Sequence, residues 1–179
     1  MAGPGADTSE FTKYYEEFKK GIFNYILYRV GFDRDTAEDL TSEIFIKAFE
    51  HFDSYDRKRP FKTWIFTIAH THLINFRVGQ KKTLPLNEAV DLVREGSKGE
   101  LRQDSVDHDI AMSKIMSLVT DLPEAQREIV ILRYVNDLSN NEIAHLIGKE
   151  EGAVRTALSR AIGTLRNTYN LKFSGQSHE

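Results

Sequence analysis

Residues 139–166, SNNEIAHLIGKEEGAVRTALSRAIGTLR, hold two helical patterns parted by a single glycine. Ser139 followed three residues later by Glu142 has the spacing of a capping box, in which the hydroxyl and the carboxylate each accept from the other residue's backbone amide. It opens a short helix through Ile147. Ala144 is small enough for a close helix crossing, and Gly148 suits a tight turn. A second helix, from about 151 to 169, sets Val154, Leu158, Ile162 and Leu165 on one face by their 3–4 spacing. Arg155, Thr156, Ser159 and Arg160 are left facing outward or along the edges. A helix of this size fits a major groove, and these side chains donate to phosphates and base edges. The pattern predicts a helix-turn-helix. A helical hairpin with a solvated basic face would show the same periodicity, and Glu150 and Glu151 stand where phosphates would approach. The rest of the chain has to decide.

Upstream, Asp121 with Glu124 repeats the capping spacing, with Pro123 in the first turn. Ile110, Ile115, Met116, Leu118 and Val119 mark a further helix. From about 79 to 108 the periodicity fails. Gly79, Pro85, Gly96 and Gly99 interrupt it, which predicts a linker with a short helical piece around Asn87–Arg94. Before it, Phe11, Tyr14, Tyr15, Phe18, Ile22, Tyr25, Ile26 and Arg29 carry helical spacing over 8–30, stopped by Gly31. Asp35 and Glu38 predict a capping box for a second helix whose apolar stripe is Ala37, Leu40, Ile44 and Ala48. A polar loop, DSYDRKRP (residues 53–60), leads through Pro60 to a helix over about 61–78. Phe61, Trp64, Ile65, Ile68, Leu73 and Phe76 face inward there, and Thr63, Thr67, His70, Thr71, Ile74 and Arg77 outward. The expected fold is all-α: two small helical domains joined by a flexible acidic linker. The divisions are a disordered N-terminus over 1–10, a first domain over 11–80, the linker over 81–108, a second domain over 109–170 and a tail over 171–179.

The chain has 179 residues, 40% hydrophobic and 28% charged, an ordinary globular composition. It has no cysteine, which removes disulfides, thiolate metal sites and thiol nucleophiles together. No apolar run approaches the ~20 residues that span a bilayer, and the start, MAGPGADTSE, has no signal-peptide pattern. A cytoplasmic location is expected. There is no phosphate loop, nucleophile elbow or HExxH motif, so the chain is not expected to be an enzyme or to hold a cofactor or metal. His70 and His72, two apart on a helix, point to different faces. Net charge is −3, but the charges fall in blocks. Residues 31–50 hold six acids against two bases, and 53–82 seven bases against two acids. Residues 83–109 hold seven acids against three bases, and 151–173 four bases against one acid. Two basic blocks alternating with acidic ones suggest two nucleic-acid contacts and one acidic docking face.

Residues 37–49, AEDLTSEIFIKAF, followed by the polar loop and FKTWIFTIAH, resemble region two of a bacterial sigma factor of the extracytoplasmic-function (ECF) type, in the sigma-70 family. Residues from LPEAQREIVILRYVNDLS (122–139) through 166 resemble region four of that family. The resemblance covers about 11–78 and 110–169, in the family's order and with its linker between. It implies binding to core RNA polymerase through an acidic and apolar helix surface packed on the clamp helices of the largest subunit, here Asp39, Leu40, Glu43, Phe45, Ile46 and Lys47. It implies that the loop from Phe52 to Pro60 and the helix after it contact the minus-ten promoter element. A base flipped from the non-template strand is trapped there; Tyr55, Arg57, Lys58, Arg59, Lys62, Thr63, Thr67, His70, Thr71 and Arg77 are suitable types, with Lys81 and Lys82 nearby. It implies that region four reads the minus-thirty-five element as duplex through Arg155, Thr156, Ser159 and Arg160, with Arg133 and Lys149 on the backbone. An anti-sigma factor is an expected partner, and membrane insertion is not expected.

The chain departs from the family pattern in several places, among them the run Arg77, Val78, Gly79, Gln80, Lys81, Lys82, where several arginines are common. Thr71 stands where an asparagine is common, Asn75 where an aspartate is common, and Ala157 where a basic residue is common. These departures bear on promoter sequence and on strand opening, not on the docking motif. The rival reading is a conventional helix-turn-helix regulator with an N-terminal helical effector domain. It predicts tight binding to bare duplex, usually as a dimer. A sigma factor predicts weak duplex binding alone and promoter-specific transcription only with core enzyme.

Overall fold

Helix α1 starts at Pro4 and runs to Leu27. Residues 4–10, expected to lack order, are therefore helical in the computed structural model, which describes residues 4–83 and 115–173 and their side chains over 8–80 and 115–173. A proline at the first helical position has the φ that a helix needs and lacks the N–H that would go unpaired there. Beyond Leu27 the chain turns. The Phe32 N–H donates to the Leu27 carbonyl at 2.9 Å, and Gly31 adopts φ +70°. This six-to-one bond over a left-handed glycine closes the helix where the sequence places its stop.

Phe32 is also left-handed, at φ +66°, and sets Asp33 as the cap of α2 (Arg34–Glu50). Asp33 accepts from the Thr36 amide at 3.1 Å and from the Thr36 hydroxyl at 2.7 Å. The cap expected at Asp35 is thus two residues late. Glu38, assigned as the other half of that box, instead pairs with Arg34 at 3.1 Å. After α2, a single 3-10 turn (Phe52–Ser54) leads into the loop, and α3 spans Phe61–Thr83. It passes through Gly79, expected to break it. A glycine in a helix costs only about 1 kcal/mol relative to alanine, too little to end a helix by itself.

Helices α1, α2 and α3 pack on one another within the first compact unit of the chain, residues Met1–Ser97. Ile22, Tyr25 and Ile26 of α1, Ala37, Ile44 and Ala48 of α2, and Ile65, Phe66, Ala69 and Leu73 of α3 are all buried, with Tyr25 edge-on to Phe66 at 5.6 Å. Aromatic rings fill the loop end. Phe11 lies edge-on to Phe49 and Phe52, each at 5.1 Å, and Tyr14 stacks on Phe61 at 4.0 Å. Trp64, expected in the core, is half-buried at its margin, 5.0 Å from Tyr55.

The second unit is Lys98–Glu179. Residues 115–120 form α4, and α5 (Glu124–Val130) follows. Its cap is Pro123, with no side-chain bond; Asp121, expected to cap it, pairs with Lys172 at 3.0 Å. The turn is held instead by Arg127, whose guanidinium donates to the carbonyls of Thr120 and Leu122. The helix then widens into a π turn, Ile131–Val135, in which the Asn136 N–H donates to the Ile131 carbonyl at 3.1 Å. Ile131 and Leu132 are both fully buried there. Helices α6 (Asn140–Ile147) and α7 (Glu151–Phe173) complete the unit. Residues 171–173, assigned to the tail, are helical, and the Lys172 pair with Asp121 lies in that last turn. The described residues contain no strand, in line with an all-α fold. None of their helices is long and apolar enough to cross a membrane. The piece expected around Asn87–Arg94, most of the linker, and Ile110 lie outside the described residues.

Candidate functional site

The period of α2 sorts its residues into two faces. Ala37, Leu40, Ile44, Phe45 and Ala48 are buried. Asp35, Asp39, Ser42, Glu43, Ile46, Lys47, Phe49 and Glu50 are exposed. Asp39, Glu43, Ile46 and Lys47 of the expected docking set therefore form one outward stripe. Leu40 and Phe45, also assigned to it, do not belong on the surface. Leu40 is 3% exposed and Phe45 4%, with the Phe45 ring edge-on to Tyr15 at 4.9 Å. They support the stripe from below. Phe49 was missed: it is 50% exposed, beside Ile46 at 59%. Its place three residues after Ile46 is the signal that finds it. The stripe thus combines carboxylates with uncovered apolar area, the composition of a docking surface rather than of a solvated helix face.

The loop after α2 is built on a knot of rings. Tyr55, assigned to stack on a base, is 5% exposed, and its hydroxyl donates to the Arg59 carbonyl at 2.6 Å. Burial pushes its phenol above the ordinary value. It shapes the loop instead of facing outward, because a ring beside Phe52, Phe61 and Trp64 buries more apolar area than it would on the surface. Asp56 accepts from the Lys58 amide at 3.0 Å, and the Arg59 N–H donates to the Asp56 carbonyl at 2.9 Å. Arg57, Lys58 and Arg59 project from this frame, all exposed. Arg57 lies over the Phe52 ring at 5.2 Å and pairs with Glu10 at 3.1 Å. Lys62, Thr63 and His70 are half-buried on α3, while Thr67 and Thr71 are exposed. The Thr67 and Thr71 hydroxyls donate to carbonyls one turn back, at 2.8 and 2.9 Å. Their oxygens remain able to accept. Arg77 is half-buried and donates to the Arg29 carbonyl, so it ties α3 to the turn after α1. The side chains of Lys81 and Lys82 lie outside the described residues.

In the second unit the expected surface stays together. Ser139 and Glu142 form the full reciprocal capping box, with bonds of 3.2 and 2.8 Å. Gly148 takes φ +64°, and the Lys149 N–H donates to the Ala144 carbonyl at 2.9 Å, closing α6 by the same six-to-one bond as α1. Helix α7 buries Val154, Leu158 and Ala161. Arg155, Thr156, Ser159 and Arg160 are exposed on one side of it, and Lys149 is exposed at the turn. The Thr156 hydroxyl donates to the Gly152 carbonyl at 2.9 Å, which leaves the two arginines and Ser159 as that face's donors. Arg133 is exposed, but one guanidinium nitrogen donates to the Leu138 carbonyl at 3.0 Å and braces the turn before α6.

Comparison with known proteins covers both units. Residues 15–83 match the Sigma-70 region 2 family and residues 112–165 the Sigma-70, region 4 family. The ECF RNA polymerase sigma factor SigW of Bacillus subtilis is 30% identical over 168 residues, spanning 89% of each chain. The chain belongs to the ECF RNA polymerase sigma factors. A sigma factor with both regions in order is favoured over a helix-turn-helix regulator with an unrelated effector domain. Two further relatives are the ECF sigma factors SigM of Bacillus subtilis and BldN of Streptomyces coelicolor. SigM is 28% identical, over 87% of this chain and 93% of its own. BldN is 31% identical over 89% of this chain, which spans 60% of BldN's own length. The fold is that of two solved complexes. The sigma factor RpoE with the anti-sigma factor NepR, from Bartonella quintana, has a TM-score of 0.76 at 19% identity, over 91% of this chain and 98% of that one. CnrH with the cytosolic domain of CnrY has a TM-score of 0.65 at 20% identity, over 92% and 90%.

Proposed function

We propose that this sigma factor docks on the clamp helices of the largest subunit of bacterial core RNA polymerase through Asp39, Glu43, Ile46, Lys47 and Phe49. The carboxylates pair with bases on that coiled coil, and the two exposed apolar side chains supply contact area. Arg57, Lys58, Arg59 and Lys62 hold the phosphates of the minus-ten element, and Thr63, Thr67, His70 and Thr71 line the path of the unstacked strand. Arg155, Ser159 and Arg160, with Thr156 and Lys149 beside them, read the minus-thirty-five duplex. The first region ends with α3 at Thr83 and the second with α7 at Phe173, and an acidic segment joins them.

The role is binding, not catalysis, and is exercised in the cytoplasm, where polymerase and promoter meet. Each DNA-reading region binds weakly alone in a chain of net charge −3. Held on polymerase, both engage one promoter at high effective concentration. An anti-sigma factor, as NepR is for RpoE in their complex, keeps the chain inactive by covering a region-two or region-four surface. The observation that carries the reading is the α2 stripe, in which acidic and large apolar side chains stand exposed together. Run-off transcription with core polymerase on a promoter library tests it. Specific transcripts are expected with this chain and not with Asp39→Arg/Glu43→Arg; unchanged transcripts from the charge-reversed protein would defeat it.

A further inference from the structure

We infer that His72 is a positioning residue for the docking face: its imidazole, inserted between Glu43 and Lys47, holds that carboxylate and that ammonium apart and aimed for a partner. The inference rests on the reading of α2 as the polymerase-docking helix. His72 lies on α3, 8% exposed, against the outward stripe of α2. Its Nε2 is 2.8 Å from the Glu43 carboxylate and its Nδ1 is 2.7 Å from the Lys47 Nζ. An ammonium has three donors and no acceptor, and an ionised carboxylate has acceptors only. The ring nitrogen facing Lys47 must therefore be bare, and the one facing Glu43 must carry the proton. This is the neutral imidazole in its Nε2–H form, donating to Glu43 and accepting from Lys47.

The contact matters because of what the two α2 residues would otherwise do. Glu43 and Lys47 are four apart with the glutamate N-terminal, the favoured orientation for pairing along a helix. Paired with each other, they would present a compact neutral dipole to an incoming protein. With the ring between them, each has one contact fixed from behind, while the Glu43 side chain stays 57% exposed. Its remaining acceptor sites face solvent. The buried ring costs a rotamer search once, in folding, so less side-chain freedom is left to lose on docking.

The test is equilibrium binding of the full chain to core polymerase, with Trp64 fluorescence confirming the fold of the first unit. His72→Leu removes both contacts and is expected to weaken binding by about tenfold, near the lower end of the coupling between close charge pairs across an interface. His72→Gln, whose amide has a donating nitrogen and an accepting oxygen, is expected to restore binding to within about threefold of the starting protein. In Glu43→Gln/His72→Leu the second change should cost less than it does alone, because part of the ring's effect passes through that carboxylate. Should His72→Leu fail to fold, His72→Asn, polar but too short to bridge both partners, is expected to show the same loss. Full affinity in His72→Leu or His72→Asn, or losses that simply add in the double variant, would overturn the inference. If Asp39→Arg/Glu43→Arg abolishes binding while the His72 variants bind fully, only the positioning falls. If Asp39→Arg/Glu43→Arg also binds fully, the docking reading falls with it.

Discussion

Helices α2 and α7 carry two of the three proposed faces, and they are built differently. On α7 the assigned residues Arg155, Thr156, Ser159 and Arg160 are all exposed, while Val154, Leu158 and Ala161 beneath them are buried. On α2 the assigned set mixes exposed Asp39, Glu43, Ile46 and Lys47 with buried Leu40 and Phe45. A face that meets DNA needs cations, which a helix keeps apart from its core by residue type alone. A face that meets protein needs apolar area as well, so its members look like core in the sequence, and only packing tells them apart.

The largest expected effect breaks the aromatic base of the first region. Phe52 is 2% exposed and touches Phe11, Tyr14, Tyr55, Phe61 and Trp64. Phe52→Ala should cost about 3–5 kcal/mol in urea unfolding followed through Trp64, the chain's one tryptophan. Beneath the α7 face the buried residues are aliphatic, Val154, Leu158 and Ala161. There, Arg155→Ala and Arg160→Ala should each cost about 1–3 kcal/mol of promoter binding by the holoenzyme if the arginine reads a base. An arginine that contacts only phosphate should instead lower the slope of log affinity against log salt by about one. Glu43→Gln should leave that salt slope unaltered in preassembled holoenzyme, which separates the two faces.

Smaller effects come from the caps. Ser139→Ala removes half of the reciprocal box of α6 and should cost about 1 kcal/mol in thermal unfolding of the second region. Asp33→Ala should cost about 0.5–1 kcal/mol in the first region. The Thr36 hydroxyl and amide hold the Asp33 carboxyl below its ordinary value of 3.8. A carboxyl lowered on folding contributes stability above that ordinary value and loses it as pH falls through the lowered one. The difference between Asp33→Ala and the parent should therefore shrink on acidification below about pH 4, as measured by unfolding at stepped pH.

These caps also mark what was legible. Ser139 and Glu142 were readable because the box is local and nothing competes with it. Asp33 and Asp35 both satisfy local capping rules, and the choice fell to the left-handed pair Gly31 and Phe32, which sets the phase of α2. The α7 face was readable from its period. Tyr55 was not, because a loop has no period, and its burial depends on rings contributed by α1 and α3. Arg133 and Arg77 read as DNA contacts by type, yet each guanidinium donates to a backbone carbonyl, that of Leu138 five residues on and that of Arg29 across the fold. His72 could not be found as a bridge before α2 and α3 were seen packed together.

Site-specific photocross-linking in the transcription complex tests most directly whether the two faces have separate partners. A cross-linker placed at Ile46 should capture the largest subunit of core polymerase, and one placed at Arg160 should capture duplex promoter DNA upstream of the start site. Capture of DNA from Ile46, or no capture of polymerase from it while transcription proceeds, would contradict the assignment of the acidic helix to docking.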